Sequence, residues 1–206
     1  MKKTVAIFLA SSSALLAGCG GGGGDSGSSN AGASGNTPAL AAYVGTWQAP
    51  CDDHERDTMV VTLKGDGSGA LEFTPTTETY LKADCSGALL GTETMSAKIS
   101  AAPDGTADIQ IKLTNNGAAT SVRIDKLTLS IPAYSFSVTG PGVQYVKKEG
   151  QQQWCIDYEG GSTCLIDEGM RPAQTIAGGV FLRDNNLYTV VKDGGAYVPD
   201  MLYVKK

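Results

Sequence analysis

Ala107-Asp108-Ile109-Gln110-Ile111-Lys112-Leu113 alternates apolar and polar side chains without a break. Such a period of two places one apolar and one polar row on opposite faces, as a half-buried antiparallel strand requires. Met95-Ser96-Ala97-Lys98-Ile99-Ser100-Ala101 repeats the pattern just upstream. Pro103-Asp104-Gly105 between the two runs carries hairpin chemistry and is expected to turn the chain.

The same reading extends in both directions. Met59-Val61-Leu63 leads through Gly65-Asp66-Gly67 into Leu71-Phe73. Asn115-Asn116-Gly117 leads into Val122-Ile124, and Leu127-Leu129-Ile131 follows out of phase, which predicts a bulge or tight turn near Asp125-Lys126. Further runs occur at Tyr134-Phe136-Val138, Val143-Tyr145, Val180-Leu182, 187–191 and Leu202-Val204. No stretch sustains a helical period with caps. Short strands separated by Gly, Pro, Asn and Asp point to an all-β barrel or sandwich, and closure into a barrel removes exposed edges. The expected fold is an antiparallel up-and-down β-barrel of about eight or more strands over residues 43–206. Residues 151–177, with Trp154, Gly160-Gly161 and Arg171-Pro172, are expected to form a loop-rich insertion.

The N-terminal part differs in kind. Lys2 and Lys3 precede an apolar and small-residue run of 13 residues, and Leu16-Ala17-Gly18-Cys19 follows. A run that short falls below the roughly 20 residues that span hydrocarbon, so a cleaved leader fits better than a transmembrane helix. The segment resembles a bacterial lipoprotein signal. That resemblance implies a signal peptide at 1–18, cleavage before Cys19, and a diacylglycerol thioether with an acylated amine, palmitate included. Gly20 in second place implies sorting to the outer membrane, with the chain lipid-anchored in the cell envelope on the periplasmic or surface face. Residues 19–42 are rich in Gly and Ser and are expected to act as a flexible tether spanning about 25–30 Å.

Charge narrows the classes of partner. Sixteen basic and 21 acidic residues give −5, and loss of Lys2 and Lys3 takes this to about −7. With no basic cluster, a nucleic-acid partner is not expected, and contact with a membrane must come through the lipid alone. Four cysteines remain besides Cys19: Cys51, Cys85, Cys155 and Cys164. An even number in an exported chain implies two disulfides, with three pairings open. Pairing within each half of the chain gives Cys51–Cys85 and Cys155–Cys164.

Chemistry-bearing motifs are sparse. Asp52-Asp53-His54-Glu55 carries metal-ligand residue types, but neighbours in extended chain point to opposite faces, so a solvated loop is expected and no metal. Asp157, Asp167 and Glu168 do not follow the spacing of a calcium loop. Gly65-Asp66-Gly67-Ser68-Gly69 lacks the Lys-Ser/Thr ending of a phosphate loop, and no Gly-x-Ser-x-Gly elbow occurs. No cofactor and no catalytic residue are expected. Paired carboxylates for glycoside hydrolysis stay open, because their separation is not readable from sequence.

Tyr43-Val44-Gly45-Thr46-Trp47, Cys51, the segment 79–85 ending in Cys85, and the closing 199–205 segment succeed one another in an order that resembles small exported lipoproteins with a lipocalin-like barrel. Gly45-x-Trp47 is similar to the first-strand motif of lipocalins, whose tryptophan plugs one end of the barrel. The resemblance implies that Trp47, Phe73, Tyr80 and Phe136 line a ligand cavity or fill the barrel. The function it implies is non-enzymatic binding of a small apolar ligand or an envelope protein. A structural or inhibitory interaction module without internal ligand is the alternative, and an envelope hydrolase a third reading.

Overall fold

The computed structural model describes residues 40–113 and 117–206. The expected leader at 1–18, Cys19, the expected tether up to residue 39, and Asn115-Asn116 lie outside the described residues. Leu40 is buried and a 3-10 turn, Ala41–Tyr43, follows it, so the packed domain already includes Leu40. The strands are β1 (Gly45–Gln48), β2 (Glu55–Leu63), β3 (Leu71–Tyr80), β4 (Leu89–Met95), β5 (Ile99–Ile111), β6 (Thr120–Ile131), β7 (Phe136–Thr139), β8 (Val143–Lys148), β9 (Gln151–Tyr158), β10 (Gly161–Ile166), β11 (Gln174–Arg183), β12 (Asn186–Asp193) and β13 (Ala196–Lys205).

Eight of them close a ring in the order β2-β1-β13-β12-β11-β6-β5-β3, with β3 pairing back to β2. Every pairing is antiparallel, and the first strand meets the last where Trp47 stands opposite Lys205. β4 continues the line of β5 along β3, pairing with residues 76–80 of β3 while β5 pairs with 71–73. β7 likewise extends β6 and pairs with β4. The result is a meander barrel whose wall is interrupted at residues 96–98 and again around Pro132. The expected all-β barrel is therefore the fold.

Two expectations differ in detail. Pro103-Asp104-Gly105 does not reverse the chain but lies within β5, where the pairing with β6 shifts register between Pro103 and Thr106. Gly105 has φ +80°, the conformation a bulge demands and a side chain resists. The bulge sits opposite Lys126, so one irregularity resets the phase of both strands, as the break near Asp125-Lys126 predicted. Residues 151–177 are not loop-rich. β8, β9 and β10 form their own three-stranded antiparallel sheet, inserted between β7 and β11.

The interior is packed by alternate residues from each wall strand. Val61, Leu71, Ile99, Leu127, Leu129, Val180 and Leu187 are at most 2% exposed. Fully burying such side chains stabilises by about 1.5–3 kcal/mol each. A second, smaller core of Ile111, Ile124, Phe181 and Val190 gathers on the other face of β11 and β12, under the far halves of β5 and β6. Trp47, Leu40 and Tyr43 join the main core, and the indole Nε1 donates to the Tyr43 carbonyl at 2.7 Å. The Tyr43 hydroxyl in turn donates to the Asp125 carboxylate across the barrel.

Both disulfides follow the half-by-half pairing, Cys51–Cys85 and Cys155–Cys164. The second joins directly opposed residues of β9 and β10.

Candidate functional site

Counted backwards from Val61 and Met59, the inward face of β2 continues to Asp57 and Glu55. Register then carries acids across the wall. Asp57 stands opposite Thr77 of β3, and Thr77 opposite Glu93 of β4. The neighbouring rung is Glu55, Thr79 and Gly91. Asp200 joins from β13, which only β1 separates from β2, and there the Thr189 hydroxyl donates to its carboxylate at 3.0 Å. The Thr77 hydroxyl donates to Asp57.

Below these groups lies a cavity of about 40 Å³, bordered by Asp57, Thr77, Thr189 and Asp200 on its polar side and by Met59, Phe73, Leu127, Val180 and Tyr203 on its apolar side. That volume holds about three water molecules. It is far below the 300–1,000 Å³ of drug-sized pockets.

Charge is poorly balanced in this place. Burial, then Glu55 and Asp57, push Glu93 up to about 7, against a smaller opposing pull from Arg171. Burial pushes Asp200 up to about 6, with the Thr189 hydrogen bond working against it and Asp57 adding to it. Asp57 is raised by burial despite its Thr77 bond, and Asp52 raises it further. Glu55 is raised by burial and by Asp57, Asp52 and Asp53, with His54 opposing. Tyr203, 9% exposed, is held protonated by burial and by the fields of Asp57 and Asp200.

The inserted sheet covers this end of the barrel. Gly91 shares the inward face with Glu93 and Met95, and a β-carbon there would lie 2.5 Å from Cδ1 of Ile156 in β9. Ile156 thus fills the space one rung beyond Glu93, and only glycine leaves room for it. The Tyr158 ring stacks on His54 at 3.9 Å between centroids, and the Glu159 amide donates to the Leu81 carbonyl at 3.0 Å.

Of the residues expected to line a cavity or plug the barrel, Trp47 is buried in the main core with its indole on the Tyr43 carbonyl, and Phe73 borders the cavity. Tyr80 does neither. It lies on the outer face with Glu78, to which its hydroxyl donates at 2.7 Å, and Arg56 stands 5.5 Å from its ring. Phe136 packs against the core beside Met95, edge-on to Tyr134 and 5.0 Å from the Arg171 guanidinium, outside the cavity lining.

His54 is not in a solvated loop either. It is buried, with Nδ1 3.0 Å from the Tyr80 carbonyl oxygen. Asp167 accepts from the Tyr145 hydroxyl and the Gly169 amide, Glu168 pairs with Arg171 at 2.8 Å, and Asp157 accepts from Gln144, so these three acids serve separate partners. Among the described residues no group of three His, Cys, Asp or Glu is placed to hold a metal ion.

Asp57, Glu93, Asp200 and Tyr203 were not singled out by sequence. One signal existed for Asp57, since Glu55-Asp57-Met59-Val61 is in phase and puts two acids on an apolar face. No family model, curated protein or solved structure matches the chain.

Proposed function

We propose that the chain is a non-enzymatic cell-envelope lipoprotein, anchored through lipid on Cys19, whose lipocalin-like barrel takes a small ligand between its apolar floor and its acid-lined end. The observation that carries this is the cavity itself, with buried carboxylates on one side and core side chains on the other. A chain gains nothing in stability from leaving Asp57 and Asp200 inside a barrel, so their cost points to recognition. The apolar face of the wall points inward, which is the reverse of a membrane-spanning barrel and suits a body held outside the bilayer by its lipid. A volume of about 40 Å³ fits a small ligand or the end of a longer one.

A second reading is an envelope hydrolase. Glu93 keeps a proton to about pH 7 across Thr77 from Asp57, and two carboxyls with separated affinities can act as acid and base. The covering by Ile156 leaves little room there for a sugar ring, so binding is the better reading.

Native mass spectrometry of the full chain extracted from its own membranes tests the proposal. The expected result is a lipid-modified Cys19 and a retained small-molecule mass. A bare polypeptide counts against it. A retained protein favours instead an interaction module working through the inserted sheet and its neighbourhood, where Tyr145 is 52% and Met170 69% exposed.

A further inference from the structure

We infer that the ligand of the barrel carries an ammonium group, bound between Asp57, Asp200 and the Tyr203 hydroxyl, with a short apolar chain on the floor beside Phe73. This rests on the ligand-binding reading above and names its chemical class.

Three independent features point the same way. The first is the composition of the cavity wall, which contains two carboxylates, threonine and tyrosine hydroxyls and apolar side chains, and no lysine, arginine or histidine. An anion brought there would meet only like charge, whereas a cation would find charge-assisted acceptors.

The second feature is Tyr203. It is nine-tenths buried and borders the cavity, and the fields of Asp57 and Asp200 both reach its hydroxyl. A hydroxyl on the cavity wall beside both carboxylates offers one more acceptor to a cation that they hold. Its oxygen accepts a third N–H of an ammonium whose other two go to Asp57 and Asp200.

The third feature is the aromatic pair. Phe73 and Tyr203 both border the same small space, and ring faces attract a desolvated cation. A bare metal ion does not fit, because no group of three metal-ligating side chains is placed to hold one among the described residues. The volume of about 40 Å³ admits an ammonium head with a few carbons, and Ile156 above Gly91 bars anything bulky from that side.

Calorimetry on the full chain in detergent at pH 7.5 tests the assignment with three four-carbon probes that differ in head group: n-butylammonium, n-butanol and n-butyrate. Asp200 is largely ionised at that pH. Butylammonium should bind at a single site at least about tenfold tighter than butanol, and butyrate should give no binding heat. The Asp57→Asn/Asp200→Asn double variant should lose that preference. Tyr203→Phe, which keeps the ring and its packing, should weaken butylammonium severalfold and leave butanol unchanged. Equal binding of butanol and butylammonium overturns the ammonium assignment and leaves the ligand-binding reading intact. So does silence from all three probes when native mass spectrometry shows another retained molecule. Silence together with an empty native spectrum, or with water alone in the cavity, overturns both.

Discussion

Asp57 of β2 and Glu93 of β4 flank Thr77 of β3 in one rung of the barrel wall, and all three face inward. Burial first, then the fields of Glu55 and Asp57, make ionising Glu93 costly, which makes stability depend on pH. The folded chain holds protons on Glu93 up to about 7 and on Asp200 up to about 6, where the unfolded chain has lost them near 4.5 and 3.8. Between about pH 4 and 7 the folded state therefore binds more protons, and unfolding free energy falls as pH rises. For Glu93 alone the loss is on the order of 3 kcal/mol. Urea midpoints should be lower at pH 8 than at pH 5, and Glu93→Gln should flatten the upper part of the profile. A midpoint at pH 8 equal to that at pH 5 would contradict the buried-acid account.

Trp47 lies where the first strand meets the last and packs in the main core with Tyr43, with Lys205 Nζ 5.4 Å from its ring. At 1% exposure it has no water-facing role. Trp47→Ala should cost about 3–5 kcal/mol in a denaturation curve of the full chain. A loss below about 1 kcal/mol would contradict its part in the core.

Gly140 fixes how the inserted sheet leaves β7. Its φ is +146°, and a β-carbon would lie 2.4 Å from the Leu90 carbonyl oxygen and 2.7 Å from the Gly91 Cα. Backbone cannot yield as a side-chain tip can, so Gly140→Ala should destabilise by about 1–3 kcal/mol. Hydrogen exchange should locate the damage, with faster exchange across β8, β9 and β10 than across β11 and β12. Uniform exchange would show that the sheet's position does not depend on this contact.

The two disulfides should not contribute equally. Cys51–Cys85 closes a separation of 34 residues and Cys155–Cys164 one of 9. Loop entropy gives about 4 kcal/mol for the first and about 3 for the second. Paired Cys→Ser variants, compared by thermal unfolding, should rank in that order, and the reverse order would show that the β9–β10 hairpin depends on its bridge more than the barrel does.

Much of the barrel was legible because its strands keep one strict period. Met59-Val61-Leu63, Ile99-Ala101 and Leu127-Leu129-Ile131 all turn their apolar row inward as alternation requires. Pro103-Asp104-Gly105 misled because a turn and a bulge call on the same residues, and only the partner strand decides which forms. The inserted sheet was hidden by its polar and glycine content, since Gln151, Gln152 and Gln153 carry no apolar period into β9. The acids were hidden for another reason. Glu93 reaches the rung of Asp57 and Thr77 through strand register, and Asp200 reaches the cavity past a bulge near Tyr188, and neither quantity is written in local sequence.

The most direct test of the central claim is the electron density inside the barrel in a crystal of the full chain purified from its own membranes. The account predicts density beyond water in the space bordered by Asp57, Asp200, Phe73 and Tyr203. A nitrogen should lie ~3 Å from a carboxylate oxygen of Asp57 or Asp200. Ordered water alone, bonded to Tyr203 and the two aspartates, would contradict it.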